Sequence, residues 1–246
     1  MTSATPLTVD PRLQIDRGER SGTAPAPCPG RALWRGRMEY LEALAFQHQT
    51  VARVASGEAP ETLILLEHPP TYTLGLCGDL RHLLVSEQEI SRLGAALHRV
   101  ERGGDITFHG PGQLVGYPVL DLKRRPGGVS CYLRNLEKTL IGTLERFGIE
   151  AGHERGFTGV WVGRAKIAAI GVRVNAAGIT RHGFALNVNT DLSWFERIVP
   201  CGLSGRGVTS IERLLGRAPP LQDVARQVAV DFGAVFQLRL EWWEQE

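Results

Sequence analysis

Lysine is scarce in this sequence. Lys123, Lys138 and Lys166 are the three among 28 lysines and arginines, which leaves 25 arginines. A GC-rich coding sequence alone produces such a skew. A lysine that remains can equally be one whose proton must come off, which arginine does not permit. Cysteine is sparse too: Cys28, Cys77, Cys131 and Cys201 are widely spaced, with no CxxC pair and no histidine at zinc-ligand spacing. Neither a metal knuckle nor a disulfide framework is indicated, so reduced thiols and no metal are expected. No apolar run approaches the roughly 18 residues of a membrane span, and no basic start followed by an apolar core opens the chain. A cytoplasmic protein without a membrane partner is expected. The formal charge is only +2, and no basic tract is interleaved with aromatics, which sets nucleic acid aside as a partner.

The chain has 246 residues, 43% hydrophobic and 22% charged, the composition of one large globular domain. Residues 1–31 carry five prolines and no apolar periodicity, and read as a flexible extension ahead of a domain over 32–246. From Met38, apolar residues recur at helical spacing until Gly57. "TLILLEH" then reads as a buried strand. "SEQE" at Ser86–Glu89 has the capping-box pattern and predicts a helix through Leu97, followed by a strand at "LHRVER". Tyr132, Leu133, Leu136, Leu140, Leu144 and Phe147 mark a long helix that stops at Gly148. Residues 159–190 read as a β-meander, and Leu221–Phe236 as a last helix before a short strand. Strands and helices mix without strict βαβ alternation, which predicts an α+β fold, a single domain on a mixed or antiparallel sheet.

Three segments hold residues suited to chemistry. "RGGDITFHGPGQLVGYP" places five glycines, Gly103, Gly104, Gly110, Gly112 and Gly116, among Arg102, Thr107, His109 and Gln113. Glycine at that density supplies turns, or it brings backbone close to a ligand; neither nucleotide-loop pattern is present. His109 fits a structural hydrogen bond as well as a functional one. In "AKIAAIGVRV", strand alternation puts Lys166 with Ala168, Ile170, Val172 and Val174 on the more apolar face. Lys166 either snorkels to water or points inward, where desolvation lowers an amine pKa and makes a proton acceptor. Ala169, Gly171, Gly183 and Ala185 fall together on adjacent strands, leaving a channel for a slender apolar chain or room for a close-packed helix. In "RIVPCGL", Cys201 sits between Pro200 and Gly202, the setting of a tight turn. It reads either as a small buried hydrophobe or as an aimed thiol.

Taken together, "RGGDITFHGPGQLVGYP", "GRAKIAAIGVRV", "HGFALNVN" and "VPCGL" resemble the octanoyltransferases of lipoate biosynthesis. The resemblance covers about residues 32–240, and "EHPPTYTLG" and "GVTSI" look like further signatures of the family. It implies the fold of the biotin and lipoate protein ligases and a catalytic pair at Cys201 and Lys166. The Cys201 thiolate would take the octanoyl group from octanoyl-acyl carrier protein and pass it to the lysine amine of a lipoyl domain. Those acceptors are the lipoyl domains of 2-oxoacid dehydrogenases and the glycine cleavage H protein. Lys166 would shuttle the proton, and because a thioester becomes an amide, neither ATP nor a cofactor is required. The acyl site implied by the family comprises Arg102, Gly103, Gly104, Asp105, Ile106, Thr107, Phe108 and His109, then Ala169, Ile170 and Gly171, then Gly183, Phe184 and Ala185. Two other readings use the same residues. An ATP-dependent lipoate or biotin ligase would employ Lys166 and leave Cys201 idle, and a non-catalytic acyl-binding protein would form no thioester.

Overall fold

The computed structural model describes residues 26–199 and 206–244. The first strand, β1 (Cys28–Arg37), leads into helix α1 (Tyr40–Ala55) and strand β2 (Glu61–Glu67). Next come β3 (Thr71–Leu74), α2 (Glu87–Arg92), β4 (Ala96–Arg99), β5 (Ile106–His109) and β6 (Gln113–Val119). Helix α3 (Gly128–Arg146) precedes β7 (Gly152–Glu154), β8 (Phe157–Val162), β9 (Ala165–Val174) and β10 (Thr180–Asn187). The chain finishes with β11 (Gly207–Val208), α4 (Ile211–Leu215), α5 (Leu221–Phe236) and β12 (Leu238–Glu244).

Among the described residues, the main sheet has nine strands in the order β12-β1-β2-β6-β10-β9-β8-β7, with β11 paired to β9. It is parallel at β12-β1-β2 and at β11-β9, and antiparallel elsewhere. A three-stranded sheet, β4-β3-β5, stands beside it. The architecture is α+β on mixed sheets, as the sequence predicts, and the 159–190 meander is β8-β9-β10.

Alternate residues of β2, β6 and β10 feed two cores. Leu63, Leu65, Leu114, Phe184 and Leu186 join α3 and α5 in one, while Ile64, Leu66, Val115, Tyr117 and Ala185 join α1 in the other. Burial on both faces explains why β2 reads as an unbroken apolar run. A third core fills the space under the small sheet, around Tyr72, Phe108 and Phe195.

Two boundaries differ from the sequence reading. Cys28–Arg31, placed there in the extension, lie in β1 and pair with Leu238–Glu241. The folded body therefore starts by Cys28; residues 1–25 of that extension are outside the described residues. Helix α2 begins as predicted, with the Ser86 hydroxyl accepting from the Glu89 N–H, but it stops at Arg92 instead of Leu97. Gly94, at φ +75°, takes the left-handed conformation that ends helices, and Leu97 passes into β4. No described helix is long and apolar enough to cross a membrane.

Phe232 of α5 is fully buried and stacks on Phe236 at 4.2 Å between centroids. Phe232→Ala is expected to cost about 3–5 kcal/mol in chemical denaturation; a loss below about 1 kcal/mol would contradict this packing.

Candidate active site

A cavity of about 350 Å³ lies between the 102–109 segment and strands β9 and β10. Its lining brings together Arg102, Gly103, Gly104, Ile106, Thr107 and His109 with Lys166, Ala169, Ile170, Gly171, Gly183, Phe184 and Ala185. A larger, more open depression of about 750 Å³ adjoins it and shares Phe195 and Val208.

Lys166 reaches the cavity by a route that strand alternation does not give. Val162 pairs with Ala165 and Trp161 with Lys166, but Val160 pairs with Ala168, so β9 carries one extra residue against β8. Across this bulge Lys166 and Ala168 oppose residues on opposite faces of β8. The predicted shared face of Lys166 and Ala168 is thus overturned: Ala168 enters the α3/α5 core with Val160 and Ile167. Lys166 turns the other way, its Nζ 4.9 Å from the centre of the Trp161 ring. It is half-buried, and its Cδ and Cε pack close to Gly159.

The glycine-rich segment is anchored by Arg102, which is 7% exposed. Its guanidinium donates to Thr73 O at 2.6 Å, to Thr73 Oγ1 and to Gly103 O, and the Gly103 N–H donates to Val172 O at 3.0 Å. A Cβ on Gly171 would sit 2.9 Å from Gly103 O and 3.2 Å from Arg102 Cδ. The small residues of β9 therefore admit this loop as well as flanking the cavity. Gly110 and Gly116 instead make room for the Phe108 and Phe184 rings, and Gly112, at φ +78°, for Asn189. Of the five glycines, only Gly103 and Gly104 face the cavity.

Two of the residues implied by the resemblance do not line it. Phe108 is buried in the third core, its ring parallel to Trp194 at 5.1 Å. Asp105 turns to the 79–82 loop, accepting from the Asp79 and Ile106 N–H groups and pairing with His82. That loop in turn holds the segment before residue 200, since Val199 N–H donates to His82 O and Ile198 bridges Leu83.

Cys201 lies outside the described residues, which stop at Val199 and resume at Arg206. On the far side of that gap, Gly207 and Val208 pair with Ala165 and Lys166, and the Thr209 N–H donates to Lys166 O. Cys28 and Cys77 are exposed free thiols and Cys131 a half-buried one; none lines the cavity. The described residues contain no cluster of three or more potential metal ligands.

Part of the remaining wall is polar. Tyr40, Tyr117 and His182 come from α1, β6 and β10; none was singled out as a site residue by local reading, although Tyr117 and His182 fall within the quoted motifs. Gln113 sits inside those motifs too; its Oε1 accepts from His109 Nδ1 at 2.9 Å, and its amide nitrogen donates to Phe108 O and Asn187 Oδ1. His68 lies behind this wall, with Nδ1 against Met38 O and Nε2 against the Tyr117 hydroxyl.

Burial keeps this wall uncharged. Desolvation pushes Tyr40 up to about 12, with Arg102 opposing, and raises Tyr117 well above its ordinary value. The same cause pushes His68 down to about 4, His182 down to about 3 and His109 well below its ordinary value. These histidines are neutral in the fold, while the unfolded chain takes up a proton on each below its ordinary value of 6.5. The unfolded state then binds more protons, so stability is full above that value and falls as pH falls toward 4. At pH 5, His68 and His182 each cost about 2 kcal/mol. His182→Asn, which tolerates the positive φ of 56° there, should remove about 2 kcal/mol of that acid loss. Equal stability of the parent protein at pH 7.5 and pH 5 in urea titrations would contradict this.

A family model of the lipoyl protein ligase A/B catalytic domain matches residues 39–233. The octanoyltransferase of Rubrobacter xylanophilus is 50% identical over 201 residues, which cover 81% of this chain and 90% of that protein. The octanoyltransferase of Solibacter usitatus is 48% identical over 205 residues, covering 83% and 92%. Among solved structures, a lipoate-protein ligase A bound with ATP superposes with TM-score 0.69 at 14% identity, covering 89% and 90%. A bipartite lipoate protein ligase from Thermoplasma acidophilum gives 0.69 at 15% identity, covering 89% and 88%. These two establish the fold, and the matched domain and sequence relatives establish the lineage: the chain belongs to the lipoyl protein ligase A/B catalytic-domain family and, within it, to the octanoyltransferases.

Proposed function

We propose that this chain is a cytoplasmic octanoyltransferase that moves an octanoyl group from octanoyl-acyl carrier protein to a lipoyl-domain lysine, by way of a thioester on Cys201. The acceptors are the lipoyl domains of 2-oxoacid dehydrogenases and the glycine cleavage H protein. The observation that carries the reading is the cavity, in which Lys166 and a channel of Ala169, Gly171, Gly183 and Ala185 line one space. Its volume of about 350 Å³ falls in the range of small-molecule sites, about 300–1,000 Å³. The relatives named octanoyltransferase at 48–50% identity support the choice of acyl group.

In the first half-reaction the Cys201 sulfur attacks the thioester carbonyl, and the carrier's thiol leaves with the proton that Lys166 took from Cys201. In the second, the acceptor amine attacks the Cys201 thioester and forms an amide. The amine's proton returns through Lys166 to the Cys201 sulfur. The contacts that bring Val208 and Thr209 onto Lys166, only a few residues after Cys201 in the chain, support this pairing. The wall of Tyr40, Tyr117, His109 and His182 is held neutral by burial, and Arg102 donates to Thr73 and Gly103.

Turnover should need no ATP and should give parallel lines in double-reciprocal plots at several acceptor concentrations. Lys166→Ala should lower kcat/KM by about 10²–10⁴-fold. A hexanoyl donor loses two methylenes at about 0.8 kcal/mol each, roughly a fifteenfold fall in kcat/KM. Equal rates with hexanoyl and octanoyl donors would count against an acyl-binding role for this cavity, and a strict ATP requirement would favour a ligase.

A further inference from the structure

We infer that Glu137 is the positioning residue for Lys166, holding β8 at the bulge that turns the lysine toward the cavity. This rests on Lys166 as the proton carrier, the role proposed above.

Glu137 lies on α3, one turn beyond Leu133, which itself lines the cavity. Its side chain is 2% exposed. A carboxylate so placed must be fully hydrogen-bonded, and it is. Its Oε1 accepts the backbone N–H of Gly159 at 3.0 Å. Its Oε2 takes Arg134 Nη1 at 2.6 Å and lies 3.2 Å from His153 Nδ1.

The Gly159 contact is the consequential one. Gly159 stands beside the slip between Val160 and Trp161, and its φ of +126° is one that other residues rarely adopt. A Cβ there would lie 2.6 Å from Ala168 O and 3.4 Å from Lys166 Cε. The backbone that Glu137 grips is therefore the surface on which the Lys166 stem rests. A buried helix carboxylate gripping one strand amide fixes where that strand lies, and the strand fixes the lysine. Arg134 and His153 are 61% and 49% exposed and can turn to water, so their contacts are the less demanding half of the arrangement.

Two conservative variants separate reach from charge. Glu137→Gln keeps an oxygen for the Gly159 N–H and loses the charge; Glu137→Asp keeps the charge and shortens the reach by one methylene. Each is compared with the parent chain in two assays: acyl transfer, and trace acetylation of Lys166 by acetic anhydride across pH without substrate, read by peptide mass spectrometry with Lys123 as internal reference. Positioning by reach predicts that Glu137→Asp lowers kcat about ten- to a hundredfold with an unchanged donor KM, and shifts the pH profile of Lys166 acetylation. Glu137→Gln is expected to retain most of the parent behaviour in both. If Glu137→Asp matches the parent in both assays, or if Glu137→Gln is the more impaired, the inference is overturned. Should Glu137→Asp fail to fold, Glu137→Asn, which also shortens the reach by one methylene, takes its place with the same expectations. A fully active Lys166→Ala would overturn the proton-carrier role alone, because the acetylation assay still reads whether Glu137 holds Lys166.

Discussion

The slip of one residue between β8 and β9 governs the chemistry available to this fold. With regular pairing, Lys166 would follow Ala168 into the largely apolar core between the sheet and the α3/α5 layer. The extra residue on β9 reverses its direction while leaving Ile167 and Ala168 buried in that core. Tight packing of Ile167 and Ala168 against α3 and α5 holds the bulge from one side. Gly159, gripped by Glu137, holds it from the other. The cavity, the neighbouring strand β11 and the approach of the 206–209 segment all depend on where that bend places Lys166.

Around this lysine the fold assembles a site whose lining also holds the Arg102 guanidinium. Its floor is made of small residues on β9 and β10, and its polar wall consists of phenols and imidazoles that burial holds neutral. The Arg102 guanidinium serves as a structural clasp, tying the glycine-rich loop to Thr73 while Gly103 is tied to β9. The small-residue floor suits a slender acyl chain. The wall's polar members trade acid stability for their neutrality, since each buried imidazole resists protonation that the unfolded chain accepts.

Much of the fold was legible because it is written in local periodicity. The 3.6-residue spacing of α1, α3 and α5, the capping box of α2, and the turns of the β8-β9-β10 meander all read directly. Features that depend on distant partners did not. Cys28–Arg31 look like part of a proline-rich extension until β12, some two hundred positions away, pairs with them. Alternation assigned the wrong face to Lys166 because a bulge leaves no mark in composition. Asp105 and Phe108 sit among cavity residues in sequence, yet one braces the 79–82 loop and the other fills the core under the small sheet. Tyr40 joins Tyr117 and His182 only through three-dimensional packing, and the latter two, though inside quoted motifs, carried no spacing that marked them out. The family motifs carried the identity of the site further than any residue pattern did.

The central claim is that Cys201 carries the acyl group with Lys166 as its proton partner. Incubating the protein with octanoyl-acyl carrier protein, without ATP or acceptor, and mapping any added mass by peptide mass spectrometry tests it directly. The account predicts an octanoyl adduct on the peptide containing Cys201, absent from Cys201→Ser and slow to form in Lys166→Ala. An active preparation with no adduct on Cys201, or with the adduct on Cys131 or Cys77, would contradict it.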